Sequence, residues 1–256
     1  MKNWTDHGPV FSLSDLSWAK NAAWAPDCVY ANGQYNFYFP VETASIGVAV
    51  SSSPQGKFKD AINKPLITRQ TPGVVCSGYL IDPTVFIDDD SSAYLLFGMN
   101  DLNIVKLNKD MISFNDDTVR QIKGAENFFE AVWMHKYKGR YYLSYSGQFD
   151  STGAGKLLYA VADNPYGPYE YNGVLLDEMN SGTNHHSIVQ YKGEWYLFYH
   201  NSDLYFSQHP EEKPVVNWRG KSPFRRSVCV DRLYYNEDGT IRKVIPTKTG
   251  VNADRN

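Results

Sequence analysis

Four side chains able to bind or cleave a polar substrate recur at one place in a repeated pattern. Trp24, Asp82 and Glu130 each stand nine residues before a hairpin tip, at Gly33, Ser91 and Gly139, and His185 stands eight before Gly193. An indole offers a flat apolar face, carboxyls transfer protons, and an imidazole offers a proton or a metal bond. Glu130 lies among Phe128, Phe129 and Trp133. That setting predicts a partly desolvated carboxyl with a raised pKa, suited to donating a proton. Each residue alone also has a plain reading. Asp before Pro is usually a turn residue, Glu in an aromatic strand can face outward, and Asp88-Asp89-Asp90 reads as a solvated tip. The shared register lifts Asp82 and Glu130 above those readings. His185 and His186 are adjacent, so strand alternation turns only one of them inward, and the register favours His185.

The elements that would position these groups are hairpins recurring about every fifty residues. They run from Val29 to Phe39, Val85 to Leu96, Met134 to Tyr145 and Ile188 to Tyr199, with a fifth from Leu233 to Ile241. Glycine, Asn or Asp at the tips supplies the positive φ of tight turns. Hairpins repeated at this spacing predict an all-β fold, a β-propeller whose blades have room for four strands each. In such a fold the inner-strand starts converge on an axial cavity, which is where the four groups are expected. A second repeat keeps the same phase. Val48 to Phe58 is echoed two blades later by Tyr159 to Tyr169, each a strand followed by a Pro-containing turn and an aromatic. Residues 11–20 and 207–222 are irregular by pattern, no amphipathic helix stands out, and residues 1–256 read as one domain.

Composition narrows the class. Hydrophobic residues make up 42% of the 256-residue chain, enough for a sizeable core, and the 15% aromatic share favours strands. A net charge of −3 gives no reason to expect nucleic acid or an anionic membrane surface as partner. Cys28, Cys76 and Cys229 form no Cys-x-x-Cys pair, so reduced, partly buried thiols are expected. No membrane-length apolar run and no apolar signal-peptide core is present. The expectation is a soluble protein, cytoplasmic by default.

Several of these segments together resemble family 43 glycoside hydrolases. Trp24-Ala25-Pro26-Asp27, Ile81-Asp82-Pro83-Thr84-Val85-Phe86, Phe128-Phe129-Glu130-Ala131 and Asn184-His185-His186-Ser187 fall in that family's order and spacing. The stretch from Arg225 to Ile241 resembles the closing part of the domain, here about 225–250. The resemblance implies a five-bladed propeller that cleaves arabinose- or xylose-containing plant oligosaccharides or polysaccharides with inversion. It implies Glu130 as general acid and Asp82 as the carboxylate that sets the acid's pKa and orientation. Trp24, Phe129, His185 and Arg226 (or its neighbour Arg225) would contact sugar. His185 would also lie beside a structural calcium ion at the axis, although no cofactor is required for the reaction.

The family's general base is an Asp in an Asp-Pro motif on the first blade. Asp82-Pro83 is the only Asp-Pro in this chain, and it falls in a later blade. Residues 1–10 look like a remnant of the first blade, which leaves about four complete blades. The ring would close with four, or borrow strands from a second copy in a homo-oligomer. Loss of the base removes water activation, a factor of roughly 10² to 10⁴ in rate. Asp27 is the nearest substitute by register, although alternation from Trp24 turns it away. The alternative function is a non-catalytic carbohydrate-binding propeller, or an inactive fragment without the base. A scaffold for protein partners is disfavoured by the carboxyls, His and Trp at the inner-strand starts.

Overall fold

A computed structural model describes residues 5–148, 155–181, 183–212 and 225–252. The described residues form four antiparallel sheets, distributed over two compact units.

Residues Trp4–Lys123 and Asn164–Pro168 make the first unit. Its first sheet has the order β1 (Asp27–Ala31), β2 (Gln34–Val41), β3 (Ser45–Ser51), β4 (Lys59–Asp60), and β5 (Ile67–Thr68) also pairs with β3. Its second sheet runs β6 (Thr84–Ile87), β7 (Ala93–Phe97), β8 (Asn103–Leu107), β9 (Arg120–Gln121). The two sheets share one core of Tyr38, Ile46, Val48, Leu80, Leu95 and Phe97 with their neighbours. The Tyr38 hydroxyl crosses that core to donate to the Met111 carbonyl at 2.6 Å. A satellite cluster of Leu16, Phe39, Val41 and Phe58 is covered by Val10, Phe11 and Trp18.

The second unit comprises Gly124–Asp163 and Tyr169–Asn256. One sheet has the order β10 (Phe128–Tyr137), β11 (Arg140–Gly147), β12 (Lys156–Ala162), β13 (Glu170–Leu176). The other has β14 (Ser187–Tyr191), β15 (Glu194–Asn201), β16 (Ser227–Leu233). Tyr142, Leu157, Leu175, Leu197, Tyr199 and Leu233 lie at the centre of their common core.

Turn chemistry sets the register. Ala31 pairs with Gln34, Tyr137 with Arg140 and Tyr191 with Glu194, so each loop has two residues. Both loop residues are left-handed in every case: Asn32 and Gly33 at φ 54° and 79°, Lys138 and Gly139 at 47° and 79°, Lys192 and Gly193 at 51° and 80°. Such turns match the twist of the flanking strands, and glycine removes the steric cost at the second position. The acidic hairpin has a longer loop, closed by Asp88 N–H to the Ser92 carbonyl at 2.8 Å.

Four of the five expected hairpins thus open a sheet. The fifth is smaller: Tyr235 and Ile241 form an isolated bridge, and Tyr235 stacks on Tyr137 with ring centroids 3.6 Å apart. The repeat at Val48 and Tyr159 marks the third strand of a sheet in both places. Other expectations need correction. A six-residue helix, α1 (Asp203–Gln208), follows β15, too short for its periodicity to show in sequence. The last sheet has three strands among the described residues rather than four. Within 11–20, Ser12 caps a single 3₁₀ turn, Leu13–Asp15. Of the segment 1–10, residues 1–4 lie outside the described residues, as do 213–222 of the later irregular stretch. Residues 5–10 form no strand; the Val10 carbonyl accepts from Phe58 N–H at 3.1 Å. The three cysteines are free thiols; Cys28 is exposed and the other two are half-buried.

Candidate active site

In the first unit, Trp24 precedes β1 and is 48% exposed; its ring meets that of Tyr79, 42% exposed, edge-on at 6.1 Å between centroids. Two large aromatic rings side by side at a surface form an apolar wall suited to a sugar's C–H face. Asp82 lies just before β6, only 6% exposed, with a left-handed φ of 54°. Asp tolerates that conformation better than most residues, yet it costs of order 1–3 kcal/mol and persists only where neighbours impose it. Asp27 opens β1. Its Oδ1 accepts from Cys28 N–H at 2.8 Å, and its Oδ2 accepts from Val85 N–H at 2.8 Å and from the Thr84 hydroxyl at 3.1 Å.

In the second unit, Phe129 and Glu130 are half-buried in β10. The pairing of β10 with β11 slips on both sides of Glu130, and the next residue, Ala131, is left-handed at φ 58°. This is a β-bulge, a device that re-aims a side chain out of the regular alternation. Gly147 makes room for the bulged strand, since a Cβ there would sit 2.0 Å from the Asn127 carbonyl oxygen.

His185 and His186 precede β14. His186 is buried, with Nε2 2.6 Å from Ser144 Oγ, and burial holds its pKa well below the usual imidazole range. His185 is half-buried, and its backbone N–H donates to His200 Nε2 at 3.2 Å. His200 is itself fixed by Ser181 Oγ, 2.9 Å from Nδ1; burial, aided by the charge of Arg226, lowers its pKa to about 3. Arg226 is exposed just before β16, whereas the guanidinium of Arg225 lies 4.3 Å over the Tyr205 ring. Sequence reasoning missed Tyr79, His200 and Ser144. Each carries its role through a spatial neighbour rather than a motif.

The chain matches the family model for glycosyl hydrolases family 43 over residues 1–241. The chain belongs to that family. It is 35% identical to a xylosidase/arabinosidase 43A of Humicola insolens, with 93% of this chain and 79% of the relative covered. An α-L-arabinofuranosidase of Clostridium thermocellum ATCC 27405 matches in three dimensions with a TM-score of 0.79 and 42% identity, covering 96% of this chain and 80% of that one. A β-xylosidase/α-arabinofuranosidase from a compost metagenome, solved with xylotriose in a calcium-free form, gives 0.77 and 35%, covering 94% and 78%. The fold class is therefore the β-propeller of family 43, with four blade sheets among the described residues. As a family member, the chain is an O-glycosyl hydrolase.

Calcium takes roughly six to eight oxygen ligands. Among the described residues no group of three or more His, Cys, Asp or Glu side chains is arranged to hold a metal ion. Beside His185, Asn184 Oδ1 is one buried oxygen without a hydrogen-bond partner among those residues. These donors do not make a protein calcium cage.

Proposed function

We propose that the chain hydrolyses glycosidic bonds in arabinose- or xylose-containing plant oligosaccharides or polysaccharides, with inversion at the anomeric carbon. Glu130 is the general acid that protonates the leaving oxygen, and Asp82 sets the acid's protonation and direction. Trp24, joined by Tyr79, gives the sugar an aromatic wall, and Phe129, His185 and Arg226 complete its contacts. One observation carries the reading: each carboxylate stands at a left-handed break at the entry to the first strand of its sheet, at Asp82 itself and at Ala131 beside Glu130. Such breaks cost free energy and cluster where side chains must be aimed. The substrate class is supported by relatives named for xylosidase and arabinosidase activities. Inversion requires a water-activating carboxylate opposite the acid. Asp27 is not assigned that role, because its hydrogen bonds run to the backbone of β1 and to the start of β6, which favours positioning over water activation.

Glu130→Gln tests the reading. Turnover of a natural pentose disaccharide should fall roughly 10²- to 10⁴-fold. A p-nitrophenyl arabinoside or xyloside should suffer less, because its leaving group departs with little protonation. Equal, unchanged turnover on both substrates removes Glu130 from the mechanism. Proton NMR of the first-formed sugar reads the anomer, and retention would overturn inversion.

A second reading is binding without hydrolysis, in which Trp24 and Tyr79 hold a sugar and, within residues 1–256, the one Asp-Pro is Asp82-Pro83. Calorimetry with xylo- and arabino-oligosaccharides, followed by long incubation, distinguishes the two. Heat of binding with no released sugar supports it, and released sugar ends it.

A further inference from the structure

Asp27 holds the backbone that carries Asp82. β1 and β6 are the first strands of neighbouring sheets in one unit. Among the described residues β6 pairs with β7 on one side only, Thr84 opposite Leu96 and Val85 opposite Leu95. Its other edge leaves the Val85 N–H without a strand partner. The Asp27 carboxylate supplies the acceptor, and the same oxygen takes the buried Thr84 hydroxyl. A charged acceptor shared by two donors makes stronger bonds than a neutral one.

Asp82 lies two residues upstream, between two restraints. On its N-terminal side, Ile81 O accepts from Gly98 N–H at 2.9 Å and Leu80 N–H donates to Thr43 O at 3.0 Å. On its C-terminal side, Pro83 leads directly into the residues held by Asp27. Proline disfavours a helical conformation in the residue before it, so the left-handed φ at Asp82 does not arise locally. It is imposed from both ends.

We infer that Asp27 is a positioning residue: its two bonds to the start of β6 fix the left-handed backbone at Asp82 and so the direction of that carboxylate. The inference rests on the assignment of Asp82 to the reaction and replaces water activation as the role of Asp27. A misplacement of about 1 Å in a reacting group costs on the order of 10²-fold in rate, which sets the expected scale.

The experiment compares Asp27→Asn, Asp27→Ala, Thr84→Val and Asp82→Asn in the full chain, measuring kcat, KM, the pH profile of kcat and the melting temperature. Asp27→Asn keeps an acceptor for Val85 N–H and should lose only a few-fold in kcat. Asp27→Ala should lose about tenfold to a hundredfold in kcat with KM little changed. Its pH profile should move in the same direction as that of Asp82→Asn, and adding it to Asp82→Asn should cost little more. Thr84→Val cuts one of the two bonds and should fall between, which keeps the test alive if Asp27→Ala does not fold. Equal large losses in Asp27→Asn and Asp27→Ala, restored by azide as an external nucleophile, would make Asp27 the base and overturn positioning. So would wild-type kcat in Asp27→Ala, or a crystal structure of that variant with the Asp82 backbone unmoved. If Asp82→Asn alone leaves kcat and its pH profile intact, the underlying assignment of Asp82 fails instead. The Asp27→Ala crystal structure then decides the positioning on its own.

Discussion

Trp24 and Tyr79 expose about half of their area while touching each other, an arrangement that a core residue never needs. An aromatic face that covers about 60 Å² of a bound sugar contributes about 1.5 kcal/mol. Trp24→Ala is therefore expected to raise KM roughly tenfold with kcat little changed, the signature of binding lost equally in ground and transition states. Steady-state kinetics on xylo- and arabino-oligosaccharides checks this, with Tyr79→Ala showing a smaller rise in KM and Tyr79→Phe none. A fall in kcat at constant KM would instead place Trp24 in the chemistry. Trp24 was legible in the sequence because it shares a register with Asp82 and Glu130. Tyr79 was not: between Gly78 and the buried Leu80 it reads as one more aromatic of a β-rich chain.

The β10–β11 pair shows how an element aims a residue. The bulge at Glu130 needs backbone close to backbone, and Gly147 opposite Phe128 permits it. A methyl group at that position meets the Asn127 carbonyl at 2.0 Å, so strand or bulge must shift. Gly147→Ala is expected to cost about 1–3 kcal/mol, lowering the melting temperature by several degrees. It should also lower kcat, since Phe129 and Glu130 move with the strand. Calorimetry and kinetics on the same sample check both effects, and a stable variant with full kcat would show that the bulge aims nothing. Sequence revealed the hairpins because Asn-Gly and Lys-Gly tips carry the turn chemistry in plain view. It did not reveal the bulge, since nothing in Phe128-Phe129-Glu130-Ala131 marks Ala131 as left-handed. Nor did it reveal α1, which is barely more than one turn.

Across the whole molecule, the fifty-residue period gave the blades, but the buried polar groups that limit its stability follow only from packing. His135 in β10 is buried against Tyr142, Trp195 and Tyr235, with Nε2 2.6 Å from the Tyr235 hydroxyl. Its Nδ1 has no hydrogen-bond partner among the described residues, and burial lowers its pKa to about 3. The folded state thus holds the imidazole neutral, whereas the unfolded chain protonates it below about pH 6.5. No stability is lost above that value. Between pH 6.5 and 3 the unfolded state binds the extra proton, and His135 alone loses about 1.4 kcal/mol per pH unit, roughly 2 kcal/mol at pH 5, to which His186 and His200, lowered in the same way, add. Urea midpoints from pH 7 to 5 should show this loss, and His135→Gln should reduce the slope by about one proton. An unchanged slope would place the sensitivity elsewhere.

Burial acts on the thiols in the opposite direction. It raises the pKa of the half-buried Cys76 and Cys229, and although Cys28 is exposed as a residue, partial desolvation of its thiol and the Asp27 charge take it to about 11. At pH 7 a thiol of that pKa is anionic in roughly one molecule in 10⁴, and only the anion attacks electrophiles. The native thiols are thereby expected to react more slowly with maleimide and iodoacetamide than a free cysteine does. A single cysteine installed on the exposed tip at Asp89 should therefore take up a fluorophore faster than the three native thiols.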